Sequence, residues 1–312
     1  MTTRNKDLKI ILRGKDLTSS IFGAKTARVL AANDDLLYGS SKTIAYVHSG
    51  FANVCLPYKQ QPLSVRTFEA VNGDTQLHIT AGVAYNNNNG CWEDMPLPYG
   101  IWARQALIHF SSEAVKNQSP VIKAERSLTG FLKLVLGRVP NGNDVHAFKR
   151  QMVALGTSTV RIARQKKQSQ SQIVSDFDLM WLQKDNHRVL WPSEFVLSSE
   201  YWTSLQQHAV PLDMLAIRAI SHSALAMDIY MWLAQRLHRV REPYTLYWSL
   251  LWQQFGSGYK RLRDFRVKFE IALWQVKKVY PSALVNIAFS EGGRSTGITL
   301  RRSPPPIPKN YQ

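Results

Sequence analysis

The chain of 312 residues carries 39 Lys and Arg against 22 Asp and Glu, a formal charge of +17 at neutral pH. Its apolar content of 45%, with nine tryptophans and twelve tyrosines, excludes a largely disordered chain and indicates a packed core. The charge excess favours a polyanionic partner, and the length suggests two domains.

No run of about 18 apolar residues is present, so no spanning helix is expected. Residues 1–16 lack the long apolar core of a signal peptide. Cys55 and Cys91 have no CxxC spacing, which argues against a zinc site or disulfide framework and for two free thiols in a reducing cytoplasm. There is no GxxxxGKS/T loop and no HExxH. The histidines at 48, 78, 109, 146, 187, 208, 222 and 238 are scattered, with no close pair to hold the metal of a nicking enzyme. The expectation is no enzyme, no metal and no cofactor.

Residues 1–75 mix Lys6, Lys9, Arg13, Lys15, Lys25 and Arg28 with short apolar patches, and prolines at 57 and 62 interrupt any helix. They read as a basic appendage, partly ordered at most. Residues 77–85 alternate as a strand, and 86–90 (NNNNG) form a loop. Helices are predicted over 101–116, over 127–136 with Ser127 as N-cap, and over 144–155. A short extended piece, 119–124, separates the first two. Residues 158–165 alternate as a strand, 166–172 (KKQSQSQ) form a polar hairpin tip, and 173–182 return as a strand. Another strand covers 189–197 and a short helix 198–207, with a boundary at Val210-Pro211. Residues 212–221 are a helical connector.

The same order then repeats. A helix over 225–240 precedes an extended piece at 245–247 and a short helix at 248–255 ended by Gly256 and Gly258. In 259–280, Leu262, Phe265, Phe269, Leu273 and Val276 line one helical face. Lys260, Arg261, Arg263, Arg266, Lys268, Lys277 and Lys278 fall mostly off that face, and Asp264 and Glu270 are the only acids there. A strand at 283–289, a turn at 290–293 and a strand at 296–302 complete a hairpin. A basic helix followed by a hairpin is the reading half of a winged helix. The predicted fold class is therefore α+β, with tandem winged-helix domains. The expected domains are 76–209 and 210–308, and 309–312 form a tail.

The function that follows is binding of double-stranded DNA by groove-entering helices and backbone-touching wings. In the second unit Lys260, Arg261, Arg263 and Arg266 occupy the base-reading half of the helix. Lys277 and Lys278 suit phosphates or the helix dipole, and Arg294, Arg301 and Arg302 lie on or beside the wing. In the first unit Asn141, Asn143, His146, Lys149 and Arg150 take the helix position, and Arg161, Arg164, Lys166 and Lys167 the wing. Trp232, Trp252 and Trp274 sit near apolar helical faces and read as core rather than base-stacking rings. Asp213 and Asp228 read as caps or buried hydrogen bonds. A transcriptional regulator or autorepressor of the same fold, or a single-strand or RNA-binding protein, remain open alternatives.

The sequence also resembles the plasmid-encoded RepA replication initiators of broad-host-range bacterial plasmids. The residues that carry the resemblance start with Leu97-Pro98-Tyr99-Gly100, Trp191-Pro192-Ser193 and Val210-Pro211-Leu212-Asp213. They continue with the run Ala224 to Leu233, then Phe255-Gly256-Ser257-Gly258-Tyr259, Arg263-Asp264-Phe265 and Ser303-Pro304-Pro305-Pro306. The resemblance implies a cytoplasmic, plasmid-associated initiator that binds repeats at its own origin and opens adjacent A·T-rich DNA. It further implies recruitment of host replication proteins such as the replicative helicase, and a switch between monomer and dimer. It transfers no catalytic residue.

Overall fold

The structure, a computed structural model, describes residues 29–30, 32, 43–86, 90–123, 130, 132–133, 136–164, 167–176 and 194–308, with backbone only at 164 and 167–171. Most of the segment 1–42, the helix expected at 127–136, the end of the strand expected at 173–182, the start of that at 189–197 and the tail 309–312 lie outside these residues. The chain divides into two compact units, one of residues 45–210 and one of 211–312 with the N-terminal 1–44. Both are α+β.

In the unit 45–210, strand β1 (Ile44–His48) leads into a short helix α1 (Ser49–Asn53), and strands β2 (Thr67–Asn72) and β3 (Thr75–Thr80) form a hairpin. Strands β4 (Val83–Asn86) and β5 (Cys91–Asp94) form a second hairpin. The strand expected over 77–85 is therefore two strands, broken at Ala81-Gly82. A Cβ on Gly82 would lie 1.9 Å from the Thr157 carbonyl oxygen, so only glycine lets the chain pass there. The Arg66 guanidinium fixes the break by donating to the carbonyls of Ala81, Gly82 and Met95.

Helix α2 (Gly100–Asn117) buries Trp102, Ala103, Ala106, Leu107, Phe110 and Ala114. It stops at Gln118, whose left-handed backbone returns its N–H to the last carbonyls. Short strand β6 (Val121–Lys123) follows, then helix α3 (Gly142–Thr157), with Phe148, Met152 and Leu155 inward. Strands β7 (Thr159–Arg164) and β8 (Lys167–Gln172) pair with β3 and β2 in a four-stranded antiparallel sheet ordered β2-β3-β7-β8. Strands β9 (Val174–Asp176) and β10 (Glu194–Leu197) join β6 in a three-stranded sheet ordered β6-β10-β9. Helix α4 (Ser199–His208) follows, capped by Ser198.

Two expectations are corrected here. Residues 44–75 are not an appendage, because β2 supplies six residues in register with β3 and α1 is buried. The stretch 167–172 is a strand rather than a hairpin tip. Its polar KQSQSQ sequence suits an edge position, where one face and one edge meet water.

In the unit 211–312, strand β11 (Ala209–Asp213) enters helix α5 (Met214–Ile220), and the Asp213 carboxylate caps it by accepting from Leu215 N–H. Helix α6 (Ala224–Arg236) is buried nearly throughout. Strand β12 (Tyr244–Tyr247), helix α7 (Trp248–Phe255), helix α8 (Leu262–Val279), and strands β13 (Val285–Phe289) and β14 (Ser295–Leu300) follow. A ring stack fills the core: Trp232 to Phe255 at 5.4 Å, Phe255 to Phe269 at 5.5 Å and Phe265 to Phe269 at 5.5 Å. Trp232 and Trp274 are buried and Trp252 is half-buried, as core tryptophans should be. The proline-rich end is also packed: Tyr280 Oη donates to the Pro304 carbonyl at 2.6 Å, and Ile307 is buried.

The sheet here is ordered β12-β14-β13. This is the same arrangement as β6-β10-β9: the short strand after the first helix pairs with the last strand, which pairs with the middle one. The unit 211–312 is a winged helix by this order, and the described strands of the unit 45–210 follow the same order. In the unit 45–210 the connection between β9 and β10, 177–193, lies outside the described residues, and the β7-β8 hairpin comes before β9.

Candidate nucleic-acid interface

In the unit 211–312 the groove-facing position belongs to α8. Phe265, Phe269, Ala272, Leu273 and Val276 are buried in its inner face, which leaves Lys260, Arg261, Arg263 and Lys268 exposed. Arg261 flanks the helix without a side-chain cap. The Arg263 side chain is 81% exposed, and its 3.8 Å approach to Asp264 is too loose and too wet to hold it. These cations are available to a partner.

Arg266 is not. Its guanidinium donates to Ser295 Oγ and lies 5.3 Å from the Trp248 ring centroid. Trp248 Nε1 donates to Ser295 O at 3.1 Å. Partial burial holds the Glu270 carboxyl above its usual range, against the opposing pull of Arg266 and a hydrogen bond from Ser295. Arg266 thus ties the helix to the turn end of the wing and is set aside as a base reader.

That tie also locates the wing turn. Ser290 N–H donates to Arg294 O at 2.8 Å and Gly293 N–H to Ser290 O at 2.9 Å, with Gly293 at φ +73°. Arg294 is exposed and precedes Ser295, so it lies beside the N-terminal half of α8. Lys260, Arg261, Arg263 and Arg294 therefore share one end of the unit.

Lys277, Lys278, Arg301 and Arg302 are at the other end. Helix α8 has 18 residues and spans about 27 Å at ~1.5 Å per residue. Lys277 Nζ donates to Asn286 Oδ1 at 3.3 Å, and Arg301 N–H to the Leu284 carbonyl at 3.0 Å. Lys278 sits 5.9 Å from the Trp274 ring. Arg301 and Arg302 follow the last residue of β14, the end of the hairpin away from its turn, so their expected place beside the wing is corrected.

In the unit 45–210, Asn141 and Asp144 form a capping box: Asn141 Oδ1 accepts from Asp144 N–H at 2.9 Å and Asp144 Oδ2 from Asn141 N–H at 2.8 Å. Arg138 grips the same carboxylate through two nitrogens, at 2.7 and 3.1 Å. The Arg138 guanidinium, with help from the Asn141 backbone, holds the Asp144 carboxyl below its usual range against its own desolvation. Asn141 is thereby occupied in starting the helix. Asn143, His146 and Arg150 are exposed at i, i+3 and i+7, one stripe of α3. Lys149 is half-buried, and desolvation holds its ammonium below the usual lysine range.

Three of the expected wing residues of this unit, Arg161, Arg164 and Lys167, lie on the β7-β8 hairpin. Arg161 is inside the four-stranded sheet, in register with His78, and donates to Thr80 Oγ1 at 3.3 Å. Arg164 and Lys167 have backbone positions at the end of β7 and start of β8, and Lys166 lies outside the described residues. The sequence pattern overlooked Arg138, whose partner six residues on gives a helix-start signal. It also overlooked Trp92, 68% exposed and 5.4 Å from Tyr85 across the β4-β5 hairpin.

Among the described residues, no group of three His, Cys, Asp or Glu could hold a metal, and no helix is long and apolar enough to cross a membrane. A family model described as the plasmid encoded RepA protein matches residues 97–250. A comparison with curated protein sequences found no match. Among solved structures, the chain is similar to a selenomethionine crystal structure of domains 2 and 3 of RctB, at 10% identity and a TM-score of 0.48, covering 81% of this chain and 96% of that one. A second crystal structure of RctB domains 2–3 gives 9% identity and a TM-score of 0.47 with the same coverage.

Proposed function

We propose that this chain, whose residues 97–250 match the model of the plasmid encoded RepA protein, starts plasmid replication by binding double-stranded repeats at its own origin. The observation that carries the DNA-binding part is the placement of Lys260, Arg261, Arg263 and Arg294 at one end of a winged helix, exposed and beside both helix start and wing turn. Arg263 reads base edges in the major groove, where a guanidinium matches guanine O6 and N7. Arg294 holds the neighbouring backbone. The stripe Asn143, His146 and Arg150 on α3 supports a second, more weakly charged contact from the other unit. Local opening of the duplex and recruitment of host replication proteins belong to the same reading, as does a role without catalysis.

The test is binding to an origin-repeat duplex and a scrambled duplex of equal composition across a salt series. A preference of about a thousandfold at physiological salt is expected, together with permanganate reactivity beside the repeats. Equal, steeply salt-dependent binding to both would reject sequence recognition. Specific binding without permanganate reactivity would point to a repressor instead.

A further inference from the structure

The basic end of the unit 211–312 that lies away from the wing turn has a built apolar centre. Leu284 is 51% exposed, yet both of its backbone groups are fixed. Its N–H donates to Ser303 Oγ at 2.9 Å, and its carbonyl accepts from Arg301 N–H at 3.0 Å. A leucine on a loose loop would cost ordering free energy on contact, whereas this one is already held in place. Lys277, Arg301 and Arg302 are exposed around it, and Lys277 is steadied by Asn286. Residues 271–290 and 292–312 contain no Asp or Glu, so nothing in these segments neutralises the cluster. Partial burial, and then Lys278, hold the Lys277 ammonium below its usual range, so a facing anion would relieve it.

Duplex DNA is a poor match for this surface. The proposed duplex contacts lie at the start of α8, and this surface lies at the other end of its 18 residues, about 27 Å away at ~1.5 Å per residue. A central leucine also has no partner on a phosphate backbone. An apolar centre with a charged rim is instead the anatomy of a protein–protein contact.

We propose that Leu284, Lys277, Arg301 and Arg302 form a docking site for an acidic peptide segment of a partner protein, one that carries an apolar side chain among its carboxylates. The leucine takes the apolar side chain and the cations take the carboxylates. The site deepens the initiator reading, since it lets the chain hold a duplex at one end of α8 and a protein at the other.

The experiment uses the full chain and a short fluorescein-labelled peptide of Asp, Glu and Leu, with a control in which Ser replaces each Leu. Anisotropy is read with and without saturating origin duplex. The wild type is expected to prefer the leucine peptide and to bind it with duplex present. Leu284→Ser should weaken the leucine peptide about tenfold, or ~1.4 kcal/mol, and leave duplex affinity unchanged. Lys277→Gln with Arg301→Gln should weaken both peptides. Equal binding of the two peptides, or a leucine-peptide affinity indifferent to Leu284→Ser, would overturn the site. So would displacement by duplex, or a double variant that loses duplex and peptide affinity alike, which would assign the patch to DNA. A positive peptide result without duplex preference would leave the docking site standing and sink the origin-binding reading.

Discussion

Arg266 reaches across from α8 to Ser295 and covers the Trp248 ring at 5.3 Å, joining helix, wing and short helix at one point. Arg266→Ala should therefore destabilise the unit by about 1–3 kcal/mol, from a lost charge-assisted hydrogen bond and a lost cation–π contact. Arg266→Lys should not restore it, because a single ammonium cannot stack and donate in the same plane. Urea denaturation followed by tryptophan fluorescence reads both. A variant as stable as wild type would mean the tie is dispensable.

Arg263→Ala should leave stability within about 0.5 kcal/mol, as expected for an exposed side chain. It should cost about 1–3 kcal/mol on origin duplex and much less on scrambled duplex. An equal loss on both would make Arg263 a phosphate contact.

Arg294→Ala should weaken every duplex alike and reduce the salt slope by roughly one unit. Arg301→Ala, at the other end of the hairpin, should leave the slope unchanged. A lower slope for Arg301→Ala alone would reverse the assignment of the two ends.

Asn141→Ala should cost the unit 45–210 about 1 kcal/mol by uncapping α3. Its specificity among duplexes should stay as it was. Asn141→Asp should keep the cap, and a relaxed sequence preference in Asn141→Ala at unchanged stability would restore Asn141 to the interface.

His48 and His109 are buried polar groups of the unit 45–210. His48 Nδ1 accepts from Gly50 N–H at 3.0 Å, so its neutral ring presents Nε2–H to Ser204 Oγ at 2.9 Å. Burial first, and then His208, lower its pKa to about 4; burial and then Lys116 do the same for His109. A lowered histidine pKa means the unfolded chain binds the extra proton between the two values. Stability should then be full above pH 6.5 and fall as pH drops towards 4, by up to about 3 kcal/mol per histidine. Denaturation midpoints for wild type and His48→Gln across that window check it: the substitution should flatten the profile. An unchanged profile would mean His48 stays accessible to protons when folded.

The elements legible in the sequence were those whose information is local. The apolar period of Leu262, Phe265, Phe269, Leu273 and Val276 and the Gly292-Gly293 turn give α8 and its hairpin without reference to anything distant. The four-stranded sheet has no such signature. Its register sets Leu77 against Ile162, 85 positions away (162 − 77), and the polar β8 has the composition of a turn. Arg266 failed for a related reason. A helical wheel sees that it flanks Phe265 but not that Trp248 and Ser295 cover it. A groove contact at Asn141 overlooks its exchange of hydrogen bonds with Asp144, three residues on. Arg301 and Arg302 lie close in sequence to the turn, but the six residues of β14 run between the turn and them.

The pairing of β3 with β7 has a consequence for shortened forms of the protein. Six residues of β3 cover one side of β7 with backbone hydrogen bonds. A chain begun after residue 80 would present that side as a bare row of amide and carbonyl groups, next to the apolar side chains of Val160 and Ile162. Such an edge recruits strands from other molecules. N-terminal truncation would thus turn this sheet into a nucleus for aggregation, and it would do so without touching any residue assigned to DNA.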